Sequence, residues 1–183
     1  MGNGVQYVVL CEDLQSQVFI RRALIRHGVD SRRIQLVALP SLEGGAGDAY
    51  VARHYPKQVE AHRSRASRTQ AALIVHMDAD PANTVAARMS YLEQALRDEG
   101  MPLRGGNERI SHLVPKRNIE TWIRFYLEGG PVDEGTEYPK YSGRESDCWP
   151  AAERFSNDAA RGSVPPNRPP SLEVGLSEFS RSL

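Results

Sequence analysis

The chain reads as an α/β domain on an open, mostly parallel sheet, and three observations lead there. Short apolar, β-branched runs alternate with stretches of helical periodicity. The run from Ala72 to Met77 is mostly apolar along its whole length, as in a central parallel strand covered on both faces. Carboxylates stand where the runs give way: Glu12 after the first, Asp78 and Asp80 after Met77. In open α/β sheets, ligands bind outside the carboxyl ends of the strands.

Bulk composition fits this class. At 183 residues the chain suits one domain with a real core, and its 40% hydrophobic and 25% charged content is ordinary for a soluble protein. The formal net charge is zero, so any surface that attracts nucleic acid is local. No run approaches the roughly 18 apolar residues of a membrane helix, and the N-terminus lacks a secretory pattern. Cys11 and Cys148 are far apart in sequence and read as free thiols in a reducing cytoplasm.

Gln6–Cys11 is the first expected strand, closed by Glu12. Asp13 suits the N-cap of the next helix. There Leu14, Val18 and Ile25 form one apolar stripe and Ile20, Ala23 and Leu24 its neighbour, with Gln15, Arg22 and Arg26 opposite. Arg21 falls inside the apolar arc, where its stem can lie along the face. Ile34–Leu39 is a second strand. The Gly44-Gly45-Ala46-Gly47 segment fits either a flexible loop or a phosphate cradle, but matches neither standard glycine fingerprint. Asp48 to His62 is helical in pattern, with Pro56 expected to interrupt or kink it. Arg53, Lys57, Arg63, Arg65 and Arg68 then make the most basic stretch, opposed nearby by Glu60 alone. They fit a solvated face and equally a set of phosphate contacts.

Beyond Asp80, Val85, Met89, Leu92 and Leu96 mark a helix, with Arg88, Glu93, Arg97 and Asp98 facing solvent. Arg109–Val114 is a further strand. Asn118 caps a helix whose apolar face carries Ile119, Trp122, Ile123 and Tyr126, with Glu120 in its first turn. His76 and His112 sit inside expected strands and read as core residues; Trp149 fits a core position or a surface platform. The expected organisation is an α/β domain over residues 1–130 and a C-terminal extension over 131–183. The extension holds one short helix from Trp149 to Ala160 and an extended or disordered Pro-rich tail.

If the strands run parallel, Glu12, Asp78, Asp80 and Glu120 meet at one edge, with Lys116 close in sequence. Asp78 and Asp80, two residues apart, can lean the same way. Clustered carboxylates repel one another, and a divalent cation held through oxygen is the usual remedy.

These pieces resemble the Toprim domain of topoisomerases, primases and overcoming-lysogenisation-defect (OLD) nucleases. The matching residues are a strand ending in Glu12 and another ending in Asp78-Ala79-Asp80. Pro115-Lys116-Arg117-Asn118-Ile119-Glu120-Thr121-Trp122 is similar to the later strand-to-helix element of OLD-type and RloB-like proteins. The resemblance spans roughly Val5 to Leu127. Asp13 stands where Toprim domains usually have glycine, and Pro81-Ala82-Asn83 where a glycine often follows the Asp-x-Asp pair.

The resemblance implies a Toprim-like, Rossmann-like, mostly parallel sheet with helices on both faces. It implies a Mg²⁺- or Mn²⁺-dependent nuclease in which Glu12, Asp78, Asp80 and Glu120 serve the metal. Glu12 would be general base or acid, and Lys116 would offset charge on the scissile phosphate. Arg117 joins Arg53, Lys57, Arg63, Arg65 and Arg68 as candidate nucleic-acid contacts. OLD-like relatives work with an ATPase. This chain has no Walker motif, so a separate ATPase partner in phage defence is implied. The alternative is a non-catalytic Toprim-like subunit that binds nucleic acid or regulates a partner. A homo-oligomer stays open as the assembly.

Overall fold

The structure is a computed structural model that describes residues 6–41 and 46–183. Gly44 and Gly45 of the glycine-rich segment, and with them the phosphate-cradle reading, lie outside the described residues. Four strands pair in parallel in the order β2-β1-β3-β4: β1 (Gln6–Leu10), β2 (Ile34–Leu36), β3 (Ala71–His76) and β4 (Ile110–Leu113). The helices are α1 (Leu14–Arg26), α2 (Gly47–Ala66), α3 (Val85–Asp98), α4 (Ile119–Glu128), α5 (Trp149–Arg161) and α6 (Pro170–Ser180).

Side-chain alternation along the strands makes two cores. Tyr7, Val9, Ala72 and Ile74 face α1, α4, α5 and α6, whose Phe19, Trp122, Phe155 and Phe179 fill that side. Val8, Leu10, Leu73 and Val75 face α2 and α3, through Tyr55, Val59, Leu92 and Leu96. The expected α/β class, with a parallel sheet covered on both faces, is the observed one. The two thiols are free and buried.

The C-terminal extension changes the packing most. Where the sequence pattern suggests an extended tail, Pro170–Ser180 is a helix that buries Leu172, Leu176 and Phe179. Pro170 stands in its first turn, where a missing N–H costs nothing. Phe155 of α5 sits among Phe19, Trp122 and Phe179, with ring centroids 5.3, 5.7 and 5.0 Å away. Gly175 lets α6 close on the indole: a Cβ there would lie 2.3 Å from Trp122 Cη2. Ser171 Oγ accepts from Trp122 Nε1 at 2.9 Å. α6 also covers the open edge of β4, where the His112 N–H donates to Glu178 Oε2 at 2.8 Å.

The same packing corrects the expected polar face of α1. Gln15 is buried and donates to the Glu145 carbonyl, and the half-buried Arg22 pairs with Glu153 of α5; Arg26 is exposed, as expected, and donates to Asn157. Leu14, expected on the apolar stripe, is 46% exposed. β2 ends at Leu36 rather than Leu39, although the Val37 N–H still donates to the Val9 carbonyl. α2 runs through Pro56, because Val51, Tyr55 and Val59 bury a continuous face that outweighs one lost hydrogen bond. Arg88, expected at the surface, is buried.

Candidate metal centre

The carboxyl edge of the sheet carries the acidic residues. Glu12 follows β1 by two positions and Asp13 is the N-cap of α1, accepting from the Ser16 N–H at 2.8 Å. Asp78 lies just past β3. Its neighbours continue the ladder toward the β4 side: the Met77 N–H donates to the Leu113 carbonyl at 3.2 Å, and the Ala79 N–H to the Pro115 carbonyl at 2.9 Å. These bonds fix the backbone on both sides of Asp78. One oxygen each from Glu12, Asp13 and Asp78 lies within 4.8 Å of the others.

Glu120, in the first turn of α4, stands beside that trio rather than in it: no oxygen of Glu120 lies within 4.8 Å of all three. It is 1% exposed, and its carboxylate meets its own backbone N–H but no donor of another residue among the described residues. Its charge acts on Asp78, and that of Asp13 acts on Glu120. Asp78 Oδ1 is buried without a hydrogen-bond partner.

Crowding out of water sets the acidity here. Burial first, then the charges of Glu12 and Asp13, holds the Asp78 carboxyl well above the usual carboxylate range. Burial pushes Glu12 up to about 7; the Asp13 charge adds to this, and a hydrogen bond with Asp78 opposes it. Glu120 is raised mainly by burial. Beneath the group, His76 Nε2 lies 3.2 Å from Ser16 Oγ and 3.3 Å from Asp78 Oδ1. Burial pulls His76 down to about 4, so it is neutral at neutral pH and does not offset the carboxylates.

Three helix N-termini border the site. α1 begins at Asp13, α4 carries Glu120 in its first turn, and α2 begins against Glu12. A Cβ on Gly47 would lie 2.8 Å from the Cβ of Glu12, so only glycine permits this approach. Positive helix ends favour negative charge at this edge.

Two residues expected in the group are engaged elsewhere. Asp80 has φ +63°, a left-handed conformation, so it does not lean with Asp78. Its carboxylate accepts from Arg88 Nη2 at 2.5 Å, and Arg88 Nη1 donates to Asp48 at 3.0 Å. Lys116 donates from Nζ to the backbone carbonyls of Asp80, Pro81 and Asn83, and so fastens the loop after β3.

The basic stretch lies along α2, which leads away from the site. At 1.5 Å per residue, Arg63 is roughly 24 Å along the axis from Gly47. Arg63 donates to both oxygens of Glu108, and Arg68 to Ser64. Arg65 and Arg68 stand near the amino edge of the sheet, while Arg53 and Lys57 lie midway on the exposed side of α2. Arg117 pairs with Glu137 at 2.7 Å.

Sequence reasoning missed Asp13 as a site residue, because its capping role explains it on its own. The signal was the Glu12-Asp13 pair directly after a strand: a cap at that point also stands at the ligand-binding edge. In sequence Gly47 reads only as part of a flexible or phosphate-binding segment. Comparison of the chain with family profiles, curated proteins and solved structures returns no match, so this edge of the sheet is read from its own geometry.

Proposed function

We propose that the chain is a divalent-metal-dependent phosphodiesterase, a nuclease of Toprim type, with Mg²⁺ or Mn²⁺ held by Glu12, Asp13 and Asp78 and with Glu120 beside them. The observation that carries the reading is the trio itself: one oxygen each from Glu12, Asp13 and Asp78 lies within 4.8 Å of the others, so repulsion works against every one of them. Glu120, buried next to them, adds its charge against Asp78. An all-oxygen donor set suits a hard divalent ion. Such an ion polarises a phosphoryl oxygen and lowers the pKa of bound water.

The protein's own groups fit the rest of that chemistry. Glu12, raised to about 7 by burial in the metal-free protein, is the general base or acid of the proposal. Gly47 brings the N-terminus of α2 against it. Lys116 and Arg88 keep the Asp80–Asn83 loop in place beside Asp78.

A second reading, a non-catalytic binding or regulatory subunit, draws support from the internal partners of Asp80 and Lys116. Isothermal titration with Mn²⁺ and cleavage of labelled oligonucleotides with Mg²⁺ separate the two. The nuclease reading expects Asp78→Asn to lose both activities with its circular dichroism unchanged. Cleavage that survives in Asp78→Asn and in Glu12→Gln overturns it. Mn²⁺ binding without cleavage of any strand favours the second reading.

A further inference from the structure

The segment 138–145, between α4 and α5, stands over Glu120. One cavity of about 170 Å³ lies between Asp13, Glu120, Lys140, Tyr141 and Glu145. A neighbouring one of about 140 Å³ lies between Glu120, Arg124, Tyr138, Lys140 and Arg144. Lys140 lines both. It is exposed, makes no hydrogen bond or ion pair among the described residues, and its charge acts on Glu120. Lys116 is different: its ammonium already serves three backbone carbonyls. Lys140 is therefore the cation beside the carboxylates that is available to a ligand.

Cations and aromatic rings alternate on this side of the molecule. The Arg124 guanidinium lies 4.7 Å from the centre of the Tyr138 ring. Tyr141 follows Lys140. Arg144, with its side chain 72% exposed, borders a third cavity of about 360 Å³ with Arg21 and Trp149. Trp149 is 44% exposed and carries Arg22 over its ring at 4.5 Å. Arg22, Arg124 and Arg144 are each paired with a carboxylate, of Glu153, Glu128 and Asp147, which leaves Lys140 to meet a phosphate, while the aromatic rings suit the bases of an unpaired strand, whose faces are free for stacking. In a duplex those faces are occupied by neighbouring base pairs.

We propose that the 138–145 segment and Trp149 form the wall that receives a single-stranded nucleic acid, with Lys140 on the phosphate beside the acidic group. The proposal names the substrate class of the phosphodiesterase reading and rests on it, but its test does not need the metal. Fluorescence anisotropy follows a labelled oligothymidylate of roughly 12 nucleotides, within the site size of single-strand binders. A duplex of equal length is measured beside it, with EDTA and with Ca²⁺.

The expected result is a preference for the single strand. Lys140→Ala lowers the slope of log affinity against log salt by about 0.7, the loss of one single-strand phosphate contact. Lys140→Arg restores the slope, and Trp149→Ala weakens binding at least about fivefold. Equal binding of duplex and single strand overturns the proposal, as does an unchanged slope in Lys140→Ala. If wild-type protein takes up no Mn²⁺ yet shows the Lys140-dependent slope, the metal reading fails and the single-strand wall stands.

Discussion

Glu12→Gln measures the strain that the acidic group imposes on the metal-free protein. A carboxyl raised by folding keeps its proton in the native state after the unfolded chain has lost it. Unfolding then releases a proton, and stability falls as pH rises from the ordinary value to the native one. For Glu12 that window runs from 4.5 to about 7. At 1.36 kcal/mol per pH unit, it amounts to about 3 kcal/mol for the proton that Glu12 shares with Asp78. His76, His62 and His112 act with the opposite sign, because burial lowers each of them and stability rises with pH until about 6.5. They are common to both proteins and cancel in the difference. Urea unfolding in EDTA should therefore find Glu12→Gln close to wild type at about pH 4.5. By about pH 7.5 the variant should have gained about 3 kcal/mol relative to wild type. Adding Mn²⁺ should restore wild-type stability at the higher pH and do much less for the variant. A stability difference that stays constant across the window refutes the reasoning, since Glu12 would then not be held protonated by its surroundings.

Three further outcomes test the packing around the site. Gly47→Ala should push Glu12 aside and weaken Mn²⁺ binding in calorimetry, because the added Cβ meets the root of that side chain rather than its flexible end. Gly175→Ala should cost about 1–3 kcal/mol of stability, read as a lower urea midpoint, since the collision with Trp122 exceeds the gain in helix propensity. Phe155→Ala should cost about 3–5 kcal/mol by the same assay, because it opens a cavity among four other aromatic rings.

Residues whose surroundings are local were legible before the fold was known. Glu12 and Asp78 end runs of apolar side chains, and a strand's end is a local property. Asp80 was not legible, because its direction depends on a left-handed backbone and a buried arginine eight residues on. Lys116 reads as a free cation in sequence and becomes a loop fastener only when the Asp80–Asn83 backbone comes within reach. The face of α1 carrying Gln15 and Arg22 is polar by pattern; Glu145 and Glu153 take up those two side chains in pairs that no periodicity records. α6 was hidden by composition: four prolines mask a start signal, and Gly175 interrupts an apolar stripe at the point where Trp122 needs the space.

The seating of α6 on Trp122 also reaches Glu120 from a distance. Trp122 stands two residues after Glu120 on α4, so the indole and the carboxylate move as one rigid piece. Gly175 and Ser171 hold that indole from α6, about fifty residues further along the chain. A change under α6 would thus be felt at the acidic edge through a ring that touches none of the other carboxylates.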